Sequence, residues 1–276
     1  MDIRQSPATA KNRAIEADGA EPGPTKAGAQ KARAPRRGNA AWIAANAQAG
    51  SVVLLGGAGL TDFRIRVAQG HLRTDMLPSF WSVVGIAARR GLLTVPLLPD
   101  GDPSLVPATN AIRLVRLSEF DAVDEYPNVA AIQFAERPEA ILANGDRLTK
   151  QRNALDLPTM LLSWLGFVWG AGAKRNPLLE NIGLPSAAFV ETAFGMAGIE
   201  LTPGLASGSS CPEAIWQSAL WWHDYYKQSA ATEPARLAKA PPTKGTELPR
   251  PMVPAGTYRI LQPAAAVTYE GHSKRS

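Results

Sequence analysis

The sequence contains a single cysteine, Cys211, among its 276 residues. One cysteine cannot form an internal disulfide or a multi-cysteine metal site, and it fits a reducing compartment. Histidine is also scarce, because only three are present and they are scattered. A metal site needs at least three ligands, and no cluster of Asp or Glu supplies them. The sequence therefore predicts neither a bound metal nor a cofactor.

The chain also begins without an apolar stretch. The first residues, MDIRQSPATAKNR, contain no hydrophobic core of a secretory signal, so the predicted location is the cytoplasm, with export by another route left open. Residues 157–173 are apolar and uncharged, but 17 residues are few for a membrane span. Pro158, Ser163 and several glycines weaken that interpretation further. This segment is better explained as a buried or interface helix.

Positive charge is concentrated at the two ends of the chain. The formal net charge is +5, of which residues 1–40 carry +4 and residues 227–276 carry +5, so that the middle is acidic. Residues 1–39 contain almost no large apolar side chains and are predicted to be a disordered basic tail. Residues 40–227 form the predicted domain, and residues 228–276 form a Pro- and Lys-rich extension. Basic tails either keep a protein soluble or contact an anionic membrane or nucleic acid.

The central region alternates strands with helices. An apolar run at residues 80–88 is followed by the turn Arg89-Arg-Gly91 and a second apolar run, which predicts a hairpin. Residues 61–71 alternate charged and apolar residues without indicating one element. The other predicted strands are 51–55, 112–117 and 129–134, with late strands near 257–261 and 266–269; the predicted helices are 39–49, 138–153, 157–173, 185–197 and 211–226.

Two local features allow a functional interpretation beside a structural one. The cluster Gly56-Gly-Ala-Gly59 follows a strand, but it lacks the Gly-Lys-Ser/Thr ending of a phosphate loop, and a tight turn explains it better. Ser186 lies where a turn enters a helix, with Pro185 just before it. Free backbone N–H groups there would stabilise a nucleophile, but from the residues alone Ser186 is better explained as a helix-capping or first-turn residue.

Three segments carry a family resemblance. They are Ser186-Ala-Ala-Phe-Val-Glu-Thr-Ala-Phe, Ala197-Gly-Ile-Glu-Leu-Thr-Pro and Ser210-Cys-Pro-Glu-Ala-Ile-Trp. Together they resemble the second half of the circularly permuted papain-like cysteine hydrolases, the bacterial-type, NlpC-type and YiiX-like amidases and peptidases related to lecithin retinol acyltransferase. The resemblance covers residues 50–223. It implies an α+β, permuted papain-like fold, in which an antiparallel sheet of about five to six strands packs against helices.

The resemblance also assigns catalytic positions, and this chain departs from the family at them. The family's catalytic cysteine falls on Ser186, and the histidine of its Ser-His-Val-Gly-Ile motif falls on Val83. The next strand offers only apolar residues where the family has a residue that orients the base. Valine cannot accept a proton, and a serine without a base is a weak nucleophile. The resemblance thus implies a catalytically degenerate hydrolase that acts as a binding or structural module.

The same resemblance implies a remnant cleft between the strand that begins at Trp81 and the helix of Ser186. Trp81, Ser82, Asp156 and Phe189 are the predicted binding residues, with Asp156 standing for one member of a Tyr-Asp pair in the family. A peptide, an acyl chain or a partner protein is the expected ligand.

An active enzyme is the alternative. His71 lies in the loop before the Val83 strand, with Asp62 and Asp75 on either side of it in sequence. A Ser186–His71–Asp arrangement would make a hydrolase or acyltransferase, since triads are defined by geometry and not by chain order. Cys211, at the start of a helix, is a second possible nucleophile beside its role as a structural cysteine.

Overall fold

Six strands form one antiparallel sheet in the computed structural model, which describes residues 38–97, 111–133, 137–151, 155–170, 174–232 and 253–261, the side chains of 226–232 and 253–257 excepted. The order across the sheet is β4-β3-β2-β1-β5-β6. The strands are β1 (Val52–Gly56), β2 (Val83–Ala88), β3 (Gly91–Thr94), β4 (Arg113–Val115), β5 (Asn128–Gln133) and β6 (Val253–Ile260).

The centre of the sheet is β1, which pairs with β2 on one side and with β5 on the other. Leu54 lies opposite Val84 and Ala130. The predicted hairpin is confirmed: β2 turns at residues 89–90 and returns as β3, with Ala88 opposite Gly91. The predicted antiparallel sheet of five to six strands is present as well.

Six α-helices accompany the sheet in the described part of the chain. They are α1 (Asn39–Asn46), α2 (Leu60–Ala68), α3 (Pro138–Lys150), α4 (Leu157–Val168), α5 (Pro185–Gly195) and α6 (Pro212–Thr232). Helix α2 was not predicted, because its charged residues obscure the helical period. It begins after Gly59, has Asp62 in its first turn, where the helix dipole favours a negative charge, and buries Ile65 and Ala68.

The two faces of the sheet are covered unequally. Alternate residues of the strands point to opposite faces. Val52, Leu54, Val84 and Ile86 belong to the larger hydrophobic cluster, which includes side chains from α2, α3, α4, α5 and α6. Their neighbours Val53, Leu55, Ala87 and Leu92 belong to a smaller cluster with Ile43 of α1 and Phe120. The described fold is therefore α+β, with most of the helical packing on one face.

The fold includes residues on both sides of the predicted domain, which was bounded at residues 40 and 227. Helix α1 starts at Asn39, whose buried side chain donates a hydrogen bond to the Tyr126 carbonyl. Strand β6, in the predicted extension, pairs with β5. The predicted disorder of residues 1–37, the predicted strand at 266–269 and the rest of the extension apart from residues 228–232 and 253–261 lie outside the described residues.

No helix in the described ranges has both the length and the apolar character needed to cross a membrane.

Candidate functional site

Ser186 lies in the interior of the protein. It is the second residue of α5, after Pro185, and is 3% exposed. The chain before it is held by two backbone bonds, from Gly183 N to Gly208 O (2.7 Å) and from Leu184 N to Ser210 O (2.9 Å). A Cβ on Gly183 would lie 2.3 Å from the Ser210 oxygen, so only glycine allows this approach. The start of α5 is thereby fixed against the start of α6.

The structure does not bring Val83 and Ser186 together. Helix α5 packs against β2 on the face that carries Val84 and Ile86. Val83 packs instead with the smaller cluster, beside Leu55 on the opposite face. A side chain at position 83 therefore points away from α5, whatever residue occupies it.

The space between β2 and α5 is filled by side chains. Phe189 is fully buried, and the ring reaches the backbone of Gly145 in α3. A Cβ on Gly145 would lie 3.1 Å from Leu93, 3.8 Å from Phe189 and 3.9 Å from Ile86, so these groups meet at one point. The predicted cleft residue Phe189 is a core residue here.

The other predicted binding residues are dispersed. Trp81 is fully buried and makes an edge contact with Trp216, with ring centroids 5.0 Å apart. Its indole N–H has no acceptor among the described residues. Asp156 is exposed and precedes α4. Only Ser82, which is 1% exposed, belongs to a polar cluster.

His71 is exposed, and its hydrogen bond is local. Its Nδ1 lies 3.0 Å from the Ala68 carbonyl, to which it donates as a capping group. The two aspartates that flank it in sequence have other partners. Asp75 accepts two hydrogen bonds from Arg73, which lower the pKa of that carboxyl to about 2. None of the described hydrogen bonds joins His71 to Ser186, Asp62 or Asp75.

Asp62 and Ser82 form the first part of a buried polar cluster that the sequence did not predict as a unit. The Ser82 hydroxyl donates to Asp62 Oδ1 (2.5 Å) and accepts from the Gly57 N–H (3.0 Å). A Cβ on Gly57 would lie 2.2 Å from the Asp62 carboxyl carbon. The glycine loop therefore surrounds the protein's own carboxylate, which occupies the place where an external anion would have to bind. Burial raises the pKa of Asp62, against the hydrogen bond from Ser82.

Arg66 and Gln69 continue this cluster on α2 and just after it. Arg66 is fully buried and donates to the carbonyls of Ser79 (2.7 Å) and Gly57 (3.2 Å). Burial lowers the pKa of Arg66, while the nearby Asp62 raises it. Gln69 donates to the Trp81 carbonyl (2.8 Å) and accepts from the Glu213 N–H (2.9 Å). A side chain from the end of α2 thus caps the first turn of α6.

Glu213 connects the loop before β2 to helix α6. It is fully buried and accepts hydrogen bonds from the Ser79 hydroxyl and the Gln217 amide, both at 2.6 Å. Arg73 approaches it to 3.8 Å. Burial raises the pKa of Glu213, although the hydrogen bonds from Gln217 and Ser79 and the charge of Arg73 act in the opposite direction.

A second buried carboxylate, Glu191, lies on α5. The hydroxyls of Thr202 (2.6 Å) and Ser210 (2.9 Å) both donate to its Oε1. Burial again raises the pKa of this carboxyl, while the two hydroxyl donors lower it. Glu191 therefore connects α5, through these hydrogen bonds, to the segment that leads into α6. A signal for Glu191 was present in the sequence, because it is the sole charge of an apolar helix.

Cys211 lies between these two carboxylates and is inaccessible. It is fully buried, and burial raises the pKa of its thiol to about 12. The nearby charges of Glu213 and Glu191 contribute to this rise. A thiol with this pKa remains protonated near neutral pH, so the position at a helix start does not make it a nucleophile.

The polar cluster joins elements of the fold, and its polar groups already have partners. The hydroxyl of Ser82 and the carboxylates of Asp62, Glu191 and Glu213 are engaged with protein donors or acceptors. Within the described ranges, no group of three or more His, Cys, Asp and Glu residues could hold a metal ion. Comparison of this chain with protein-family models, curated proteins and solved structures found no match.

Proposed function

We propose that this chain is a catalytically degenerate relative of the permuted papain-like hydrolases that acts as a binding or structural module. The observation that carries the proposal is the placement of the two matched catalytic positions. Ser186 is enclosed in the core, and Val83 faces the other side of the sheet. A general base must come within hydrogen-bond reach of the nucleophile that it activates. Position 83 offers no such base to Ser186.

The sequence motifs and the antiparallel sheet support the family part of the proposal together. The hairpin with Trp81-Ser-Val-Val-Gly-Ile is followed, after β5, by the four helices α3 to α6, and α5 packs against that hairpin. The packing of the Ser186 helix against this hairpin supports the proposal, whereas the direction of Val83 departs from the family pattern. The cytoplasmic location predicted from the sequence belongs to the same proposal, and cell fractionation tests it.

A serine-reactive probe tests the loss of activity. The whole chain is treated with a fluorophosphonate and examined by intact-mass spectrometry beside Ser186→Ala. We expect no adduct on either protein. A single adduct on the wild type that disappears in Ser186→Ala, and also in His71→Ala, would establish the alternative, an active serine hydrolase or acyltransferase.

A pair of histidine variants tests the register of the hairpin. We combine Ser186→Cys with Val83→His in one protein and with Val84→His in another. Of these two positions, only 84 lies on the face of the sheet that packs against α5. The thiol of Ser186→Cys/Val83→His is expected to react with iodoacetamide no faster than that of Ser186→Cys alone. Faster alkylation at position 186 that requires Val83→His would mean that residue 83 does face the nucleophile, which would contradict the proposal. Circular dichroism establishes that each variant is folded.

A further inference from the structure

Helix α4 has an apolar face that the described protein leaves uncovered. The helix carries no charged residue at all. Its inner side packs in the core through Leu161, Trp164 and Val168, whereas Leu162 and Trp169 are 61% and 62% exposed. These two residues are seven positions apart and so lie on the same side of a helix. Thr159 is the other exposed residue of α4, so no charged side chain of this helix shields Leu162 from water.

Helix α2 packs beside α4 and contributes exposed apolar residues of its own. Leu60, Arg64 and Val67 are spaced four and three residues apart, which places them on one side of α2. Arg64 donates a hydrogen bond to the carbonyl of Val168, the last residue of α4. Leu60 and Val67 are exposed. We call the set Leu60, Val67, Leu162 and Trp169 the α2–α4 patch.

Cations border the patch. The stem of Lys174 lies along Gly166, because a Cβ on that glycine would be 3.5 Å from the lysine Cγ. Arg64 contacts the end of α4 and lies 3.7 Å from a Cβ placed on Gly170. Arg175 is exposed beside Lys174. The exposed carboxylates of the neighbouring segments are Asp156, before the opposite end of α4, and Glu180.

We infer that the α2–α4 patch docks onto the surface of an anionic lipid bilayer. Trp and Leu side chains bordered by Lys and Arg are the combination that holds a helix at a membrane interface. The lysine stem can lie on the apolar surface while its ammonium group reaches a lipid headgroup. A second copy of the chain fits less well, because a twofold contact through this patch would bring Arg64 and Lys174 of both copies together. The inference does not require the proposed loss of activity, since an active enzyme could bind lipid through the same face.

Vesicle co-sedimentation of the whole chain tests this inference. The vesicles contain phosphatidylcholine alone or with about one third phosphatidylglycerol, an anionic lipid. We expect binding to the anionic vesicles, and we expect Trp169→Ser to lower the partition coefficient roughly tenfold. Lys174→Glu should weaken binding to the anionic vesicles but not to the neutral ones. The matched control is Trp221→Ser on α6, since Trp221 is 59% exposed and should have no effect.

Four outcomes would overturn the inference. The first is a wild type that does not sediment with anionic vesicles. The second is a Trp169→Ser variant that binds as well as the wild type, which would assign the binding to the basic ends of the chain. The third is an equal loss of binding in Trp221→Ser. The fourth is a dimer, found by sedimentation velocity, that Trp169→Ser disperses, which would assign the patch to a second copy. Unchanged thermal midpoints of both tryptophan variants would show that binding, and not folding, was altered.

Discussion

Arg66 is the residue on which the buried polar cluster most depends. Its guanidinium group is fully buried and bonds to the carbonyls of Ser79 and Gly57, next to the carboxylate of Asp62. The planar group can reach several acceptors at once, which an ammonium cannot do. Removing the guanidinium group leaves the buried carbonyls of Ser79 and Gly57 without this donor, and an unsatisfied buried acceptor costs more than the net value of its hydrogen bond.

We therefore expect Arg66→Met to destabilise the protein by about 2–6 kcal/mol, since each of the two buried carbonyls that loses its donor costs about 1–3 kcal/mol. Arg66→Lys should recover part of this loss because it keeps the charge. Chemical denaturation of the purified variants measures both. Arg89→Met, at the exposed turn between β2 and β3, is the control and should change stability by less than about 0.5 kcal/mol. A loss below about 1 kcal/mol for Arg66→Met would mean that the cluster contributes little to the fold.

The thiol of Cys211 gives a prediction that needs no variant. Burial raises its pKa from 9.0 to about 12, a change of about three units, so the thiolate fraction falls roughly a thousandfold. We expect iodoacetamide at about pH 8 to alkylate the folded protein more slowly than the protein in urea by about two orders of magnitude or more, because the folded thiol is both enclosed and protonated. Intact-mass spectrometry over time follows the adduct. Comparable rates in the two states would show that Cys211 is accessible in the native protein.

Residues such as Arg66 and Asp62 could not have been identified from the sequence. The segment around them alternates charged and apolar side chains, which is also the pattern of an exposed element. Their burial results from contacts with Ser79, Ser82 and Gly57, which come from other parts of the chain. Contacts between distant segments produce no local pattern in the sequence. A charged residue is therefore predicted to lie on the surface unless other information is available.

At the scale of elements, the loop between β1 and α2 sets the geometry of the cluster. Within this loop Gly57 has less room than Gly59, because its ideal Cβ would overlap the Asp62 carboxyl group at 2.2–2.6 Å. The backbone N–H of the same residue donates to Ser82. A side chain at position 57 must therefore displace Asp62, the loop or both.

We expect Gly57→Ala to destabilise the protein by about 1–3 kcal/mol, the usual cost of an overpacked site. Gly195→Ala is the matched control. Gly195 is an exposed helical residue at the end of α5, and a Cβ there would meet nothing within 4 Å. Alanine is the better helix former, so this variant should be more stable by about 0.5–1 kcal/mol. Thermal unfolding compares the two. Equal effects would mean that the glycine loop has room that the structure does not show.

Elements with a strong apolar pattern were predictable, and their relative positions were not. The hairpin β2–β3 and the helices α3 and α5 follow from apolar runs and from Pro and Gly at their ends. The side of the sheet to which a strand residue points is a matter of register, since moving the pairing by one residue exchanges the two faces. The family motif placed Val83 opposite Ser186, whereas in the structure Val84 takes that side. Motif matching fixes positions along the chain but not side-chain directions.

At the scale of the whole molecule, the fold encloses three carboxyl groups on its helices, with Glu191 and Glu213 buried and Asp62 half-buried. Asp62, Glu191 and Glu213 all have raised pKa values, in each case chiefly because burial disfavours the charged form. They join the β1–α2 loop, helix α5 and helix α6 to their surroundings. Most proteins gain stability from carboxylates with lowered pKa values as the pH rises from acid to neutral. In the described part of this protein, three carboxyl groups have raised pKa values instead, so each of them reduces stability as the pH rises.

The pH dependence of stability follows from the direction of these shifts. In the unfolded chain, Asp and Glu lose their protons near the ordinary values of 3.8 and 4.5, whereas the native groups keep theirs to higher pH. The unfolded state then binds fewer protons than the native state, and stability falls as the pH rises through the native pKa values. The Arg73–Asp75 pair has the opposite pH dependence, because it stabilises the native state only while Asp75 is ionised. The pKa of Asp75 is lowered to about 2, so its contribution is lost as the pH falls from 3.8 towards 2.

We expect the thermal midpoint to be highest near about pH 4 and to decrease by several degrees towards neutral pH, because the buried carboxyl groups are then forced to ionise. Glu213→Gln should reduce this decrease, since the amide cannot ionise, while Glu200→Gln at an exposed position should leave it unchanged. Differential scanning calorimetry between pH 3 and pH 8 measures the three curves. A midpoint that rises steadily from pH 4 to pH 7 in the wild type would mean that the three carboxylates are stabilised as anions. The polar cluster would then owe its stability to the positive charges of Arg66 and Arg73, and not to hydrogen bonds that tolerate a neutral carboxyl group.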